Sequence, residues 1–428
     1  MSLERASPAK KFFILCLAAL MPFILAEIAL QIYYGQKDGN FSERNVKFTH
    51  IPYVGYAHKP NSRVKKALFS DRHGFVTNGD DGDRDLTVKP ANEFRVFILG
   101  GSTVAGSCVP APSLSITARL ETSLKEMFAA NKINLVPHVI NAGVSAYFSA
   151  QESALLDRVI TGLAPDYIIM FDGANDFYNS FGEGWSGSDI KGLLRSNYGG
   201  DALALYDSYN NMFTFGGLLK QLPIILQDHL ALARFTMDNY RRVLNKLTKE
   251  RARARNILEK GDASVEIPVP TAEERFAPQV DRLERNIRSS LSLTLGWPQM
   301  SYAYVLQPIM YEGVPMSTEE QEIFENWDKG AWGKDTGPLK AREKFFGRVG
   351  ERVTALAKSY ASQKQLVFLD MTHAFASKPA DVTYACDHVH YTPAGYTVIN
   401  SVLADKLGPH IMEAARMASR RGELDRKL

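Results

Sequence analysis

The chain is poor in the residues that build metal clusters. Its three cysteines, Cys16, Cys108 and Cys386, are scattered through 428 residues. There is no C-x-x-C pair and no Cys/His cluster, which excludes a structural zinc site of the usual spacing. An excess of charge is also missing. A formal net charge of +3 is too small to point to nucleic acid, and the basic residues are mostly interleaved with acidic ones, as on solvated helix faces. No internal repeat is found, which sets aside a repeat array. No metal or organic cofactor is implied.

What is present is the balance of a globular protein: 45% apolar and 23% charged residues, with length enough for a large core and more than one module. The N-terminus departs from that average. Arg5, Lys10 and Lys11 precede a mostly apolar run from Phe12 to Tyr34. Such a run is long enough to cross ~30 Å of hydrocarbon as a helix. Basic residues in front of it favour a cytoplasmic N-terminus. Residues 1–35 therefore read as a cytoplasmic stub and transmembrane anchor, with residues 12–34 in an inner membrane and the remaining chain periplasmic or extracellular. Pro22 can kink the helix. Glu27, near its outer end, is costly if it faces lipid and tolerable near headgroups or against a partner. A cleaved signal peptide is the rival reading, but no small-x-small site follows the run. Cys16 follows Leu15, not a small residue, which disfavours a lipoprotein.

Residues 36–92 are rich in turn formers, as in YVGYAHKPNSRV and DRHGFVTNGDDGDRD. They read as an irregular or β-rich lead-in packed on the main domain, or as a loose stalk. From Phe94 the pattern changes to alternating apolar runs and amphipathic stretches. FRVFILGGSTVAG, NLVPHVINAGVSAY and PDYIIMFDGANDF each read as a buried strand stopping at a tight turn, with helices between. The alternation argues for βαβ units and a parallel sheet. A helical insertion is expected over about 180–270. Its basic run KERARAR reads as a solvated face, with acidic glycan or lipid headgroups as alternative contacts. The α/β pattern then resumes, with strands at SYAYVLQP and QLVFLD, a helix start at Ser317 or Thr318, and the loop DHVHYTPAGY leading into a last helix. The main domain is read as 93–410, and 411–428 as a polar C-terminal tail.

Ligands of an open parallel sheet bind outside the carboxyl ends of its strands. Three strand ends deliver small or polar residues there: Gly100-Gly101-Ser102, Asn141-Ala142-Gly143 and Gly173-Ala174-Asn175-Asp176. A serine hydroxyl needs an adjacent base, and His390 is the candidate. A carboxylate on the other ring nitrogen holds the tautomer, and Asp387 lies three residues away. The backbone N–H of Ser102, the N–H of Gly143 and the side-chain amide of Asn175 are candidate oxyanion donors. Ser102 alone reads equally as a helix cap, and Gly143 and Asn175 as turn residues. Asp176 reads as structural, and His388 competes with His390 as base.

The four blocks LGGSTVAG, NAGVSAY, GAND and DHVHYTPAGY, in this order, resemble the SGNH (GDSL-like) hydrolase superfamily, over about Phe94 to Lys406 apart from the insertion. The resemblance implies a flavodoxin-like three-layer α/β/α sandwich with a parallel sheet. It implies Ser102 as nucleophile, Asp387 and His390 as its activating pair, and Ser102, Gly143 and Asn175 as the oxyanion hole. Gly101 stands where the G-D-S form has Asp. Cys108 and Cys386 flank the nucleophile and the acid/base pair. An oxidising compartment would let them form a disulfide clamping the two loops; two free buried thiols are the alternative. The expected activity is that of a serine esterase or deacetylase on acyl, above all acetyl, esters of a cell-envelope glycan, through an acyl-serine intermediate. The alternatives are an O-acyltransferase using the same residues, lipid esters as substrate, and a catalytically silent scaffold in exopolysaccharide assembly.

Overall fold

The computed structural model describes residues 8–38, 48–65, 67–79, 84–179, 222, 226, 230–237, 239–240, 242–243, 271–327, 337–360 and 366–425. Chain contacts divide it into two units. One comprises residues 1–47 and 204–268, the other 48–203 and 269–428.

In the first unit, helix α1 runs from Pro8–Asp38, uninterrupted by Pro22. It contains a window, Cys16–Tyr33, apolar and long enough to cross a membrane, and that window is not buried against protein. Most of the expected helical insertion, including KERARAR, lies outside the described residues.

The second unit is built on five strands: β5 (Glu93–Gly100), β6 (Val136–Gly143), β7 (Tyr167–Asp172), β8 (Ser301–Leu306) and β9 (Leu366–Asp370). All neighbours pair in parallel, in the order β6-β5-β7-β8-β9. Numbered along the chain this is 2-1-3-4-5, the flavodoxin-like doubly wound arrangement. Side-chain alternation sends each strand's residues to two cores. From β5, Phe97 and Leu99 join one, and Phe94, Val96 and Ile98 the other. Helices α3 (Ser149–Arg158), α5 (Ala272–Leu295) and α7 (Pro338–Ser359) cover the first face. Helices α2 (Ile116–Ala130) and α8 (Pro393–Asp425) cover the second. The short helices α4 (Ala174–Asn179) and α6 (Thr318–Trp327) follow β7 and β8. The result is a three-layer α/β/α sandwich.

Two boundaries differ from the sequence reading. The compact unit begins at Phe48 rather than near 93. Its first residues form the antiparallel pairs β1 (Phe48–Ile51) with β2 (Gly55–His58) and β3 (Arg63–Lys65) with β4 (Leu68–Phe69). Val54, Tyr56, Phe75 and Leu86 enter the core. The Val76 N–H donates to the Asn141 carbonyl, so this segment covers the exposed edge of β6, where unpaired backbone would otherwise face solvent. At the other end, α8 runs to Asp425, and the stretch read as a frayed polar helix is packed in part. Ile411, Ala414 and Ala415 are buried, an apolar stripe at helical spacing.

Arg95, in β5, is fully buried. Its guanidinium donates to Glu93 at 3.0 Å and to the carbonyls of Leu86, Val88 and Leu163 at 2.6–2.7 Å. One cation thus joins the lead-in to two parts of the sheet layer. Removing it leaves Glu93 with His138 at 2.8 Å and Arg84 at 3.4 Å but strips the three carbonyls of their donor, at about 1–3 kcal/mol for each buried group left unsatisfied. Arg95→Ala should lower the denaturant midpoint accordingly. Arg95→Lys should recover little, because an ammonium cannot reproduce the planar fork.

Candidate active site

Strands β5, β6 and β7 end side by side, with Gly100 paired to Gly143 and to Phe171. Their following turns therefore meet at one place, at the point where strand order reverses. The turn after β5 closes through the N–H of Ala105 to the carbonyl of Gly101 and that of Ser107 to Ser102. Helix α8 supports it from behind: the Tyr396 hydroxyl lies 3.0 Å from the Thr103 carbonyl and 2.9 Å from that of Ser107.

The structure brings Ser102, His390 and Asp387 into one relay. Ser102 Oγ lies 2.6 Å from His390 Nε2, and His390 Nδ1 lies 2.6 Å from Asp387 Oδ2. The second Asp387 oxygen accepts the N–H groups of Val389 and His390 at 2.7 and 2.8 Å. Burial opposes the charge on Asp387, but the His390 ring and these two N–H groups hold its carboxyl well below the usual range. With an ionised acceptor on Nδ1, the ring carries its proton there. Nε2 is then free to accept from Ser102. His388 takes no part in the relay. Its ring stacks on Trp327, with centroids 5.3 Å apart. Burial, with Arg342 and His390 adding to it, lowers its pKa.

The three expected oxyanion donors do not stand alike. Among the described residues, the Ser102 N–H has no protein partner. Asn175 Nδ2 donates one hydrogen to the Tyr147 carbonyl at 2.6 Å and keeps a second. The Gly143 N–H is committed, donating to Asn141 Oδ1 at 3.0 Å. What requires glycine at 143 is packing: a Cβ there would strike the backbone of Val104 and Ala105. Gly101 is explained in the same way. A Cβ at 101 would collide with the Asn175 amide and press on the Tyr147 carbonyl at 3.1 Å, so the position beside Ser102 is kept bare by Asn175 itself.

Asp176 turns inward. It accepts from Ser149 Oγ at 2.7 Å, from the Ser149 N–H at 3.1 Å and from Gln279 Nε2 at 2.8 Å. Asp172 and Glu152 are buried beside it. Burial, reinforced by the neighbouring acids, pushes both Asp172 and Glu152 well above the usual carboxylate range. Asp172, Asp176 and Glu152 together form a buried cluster of carboxyls behind the site.

Cys108 and Cys386 are disulfide-bonded, with Cα atoms 6.6 Å apart. The bond ties the segment after Ser102 to the residue before Asp387. Among the described residues one group of potential metal donors gathers, Cys108, Cys386 and Asp387, and its two sulfurs are spent in this bond. A cavity of about 520 Å³ lies elsewhere, between α6 and the start of α7, and none of the relay residues lines it.

Two residues that position the acid/base loop were not singled out from sequence. Glu320, on α6, is fully buried. It pairs with Lys378 at 2.8 Å and accepts the N–H groups of Tyr384 and Ala385 at 2.7 and 2.9 Å. Ser317-x-x-Glu320 is also a capping box, since the Ser317 N–H donates to Glu320 and the Glu320 N–H to Ser317. The motif was legible as a helix start; its reach to another loop was not. Arg342, on α7, is buried and donates to the carbonyls of His388 and Met310, both at 2.5 Å, with its guanidinium 4.8 Å from the Trp327 ring centre.

No protein-family model matches the chain, and no curated protein matches it in sequence. Solved structures do resemble it. An alpha/beta hydrolase enzyme from the metagenome of Lake Arreo, Spain, is 13% identical, with 76% of this chain and 98% of that chain covered and a TM-score of 0.36. Axe2, an acetylxylan esterase from Geobacillus stearothermophilus, is 13% identical, with 74% and 94% covered and a TM-score of 0.36. BT4096, a gut microbial diltiazem-metabolizing enzyme, is 13% identical, with 75% and 48% covered and a TM-score of 0.37. Likenesses at this level carry no inference about activity.

The disulfide closes a long loop, and removing such a bond costs about 2–5 kcal/mol. Reductant should lower the thermal midpoint of the oxidised protein. The Cys108→Ser, Cys386→Ser double variant should begin at the lower midpoint and show no response to reductant.

Proposed function

We propose that the chain is a membrane-anchored serine esterase of the SGNH type, acting on acyl esters of a cell-envelope glycan. The observation that carries the chemistry is the Ser102–His390–Asp387 relay beside two uncommitted N–H donors.

In the first half-reaction, His390 Nε2 takes the Ser102 proton as Oγ attacks the ester carbonyl. Negative charge gathers on the former carbonyl oxygen, within reach of the Ser102 N–H and the free hydrogen of Asn175 Nδ2. Asp387 remains ionised and stabilises the imidazolium. The C–O bond to the leaving alcohol breaks, and His390 returns the proton to that oxygen. The acyl group is then on Ser102. Water, deprotonated by His390, attacks the acyl-serine carbonyl, Ser102 leaves and regains its proton, and a carboxylic acid is released. A sugar hydroxyl in place of water would give acyl transfer through the same steps.

The glycan substrate rests on topology. An apolar N-terminal helix, Cys16–Tyr33, preceded by basic residues suits an anchor that leaves the catalytic unit outside the cytoplasm. A disulfide joining two site loops suits the same side. There an immobile esterase meets envelope polymers.

A fluorophosphonate probe should label the wild type and leave Ser102→Ala unlabelled; a folded wild type that resists labelling would favour a silent scaffold. Asn175→Ala should lower kcat on aryl acetates by about 10²–10³-fold, equivalent to ~3–4 kcal/mol, with little change in KM. Adding an oligosaccharide acceptor distinguishes the two outcomes of the acyl-enzyme. Free acetate alone marks an esterase, and an acetylated sugar marks a transferase.

A further inference from the structure

The apolar helix α1 carries one acid well inside its membrane-length window. Glu27 stands six residues before Tyr33, the end of that window, about 9 Å along the axis at 1.5 Å per residue. An unsatisfied carboxylate at such a depth is costly in hydrocarbon. Here it is satisfied three times. It accepts from Gln31 Nε2, one turn on, at 2.9 Å, and from the backbone N–H groups of Ala231 and Leu232, each at 2.8 Å.

Those two N–H groups belong to the start of a helical stretch. The Leu230 carbonyl accepts from the Arg234 N–H, so Leu230 sits at the cap position and Ala231 and Leu232 begin the helix. The first N–H groups of a helix have no partner of their own and carry partial positive charge. Glu27 and this helix start therefore complete one another. Near the junction four apolar side chains are uncovered, Leu222, Leu226, Leu230 and Phe235, each 37–47% exposed, with the half-buried Arg234 among them. Leu222, Leu226 and Leu230 recur every fourth residue, and the Leu230 N–H donates to the Leu226 carbonyl. Apolar side chains gathered at the depth of a transmembrane acid have hydrocarbon, not water, as their natural surroundings.

We infer that Leu222, Leu226 and the stretch from Leu230 to Phe235 form a second membrane-embedded element, seated among lipid acyl chains and joined to the anchor through Glu27. The inference rests on reading α1 as a membrane anchor, proposed above. The partner is the hydrocarbon of the bilayer itself. The anchor is then not a lone tether that swivels freely but one half of a two-part footing.

Depth measurements test this on the full-length protein. In a Cys16→Ser background, a single cysteine at Leu20, Leu226, Phe235 or Glu351 is labelled with an environment-sensitive nitrobenzoxadiazole dye. The protein is reconstituted in phosphatidylcholine–phosphatidylglycerol vesicles. Lipids brominated on their acyl chains should quench the labels at 20, 226 and 235, and aqueous iodide should quench only the label at 351. Iodide quenching at 226 and 235 with protection at 20 would overturn the second element and leave the anchor intact. Iodide quenching at all three would overturn both. Glu27→Ala should move the labels at 226 and 235 from bromolipid to iodide quenching without altering that at 20; no change would overturn the joining role given to Glu27.

Discussion

A serine hydroxyl becomes a nucleophile only while an imidazole is held at its proton, and that imidazole stands on a different part of the chain. The bond between Ser102 and His390 spans 288 residues of sequence. The loop that carries His390 has little regular structure of its own, so its position is imposed from outside. Glu320 grips it at Tyr384 and Ala385, Arg342 at His388, and Tyr391 reaches Gln307 and the Pro308 carbonyl behind β8. A displacement of an ångström in such a loop is enough to weaken general-base catalysis, since proton transfer needs hydrogen-bond reach.

The same device recurs across the molecule. A charged side chain is placed where water is scarce and made tolerable by backbone groups from several segments. Arg95 gathers three carbonyls, Arg342 two, Glu320 three N–H groups, and Glu27 two N–H groups in the other unit. Burying charge is unfavourable in itself and weak evidence of stability. What it supplies is discrimination: only one arrangement of the segments satisfies the ion, and every alternative leaves it bare.

The strands and the relay were legible in the sequence for physical reasons. Buried parallel strands read as continuous apolar runs, and the turns at their ends carried the polar residues that interrupt them. Parallel connectivity then forced Ser102, Gly143 and Asn175 to one edge of the sheet. Three things were hidden. The edge-covering role of residues 48–92 depends on isolated contacts, the Val76 bridge to Asn141 and the Asn78 amide on the Val139 carbonyl, which have no periodic signature. The stripe at Ile411, Ala414 and Ala415 is diluted by many basic neighbours. The reach of Glu320 and Arg342 depends on contacts between elements far apart in sequence, and single charged residues on amphipathic helices look solvated until the partner is seen. The fate of the Gly143 N–H was equally unreadable, because it turns on the rotamer of Asn141 two residues earlier.

The Cys108–Cys386 bond ties the shape of the molecule to the redox state of its surroundings. Its two halves are 278 residues apart, so the second cysteine is made long after the first has left the ribosome. In a thiol-rich cytosol the pair stays open, and the two loops are then unlinked. Its closure requires oxidising surroundings. Until the bond forms, the contacts made by Glu320, Arg342 and Tyr391 hold the His390 loop against the rest of the unit.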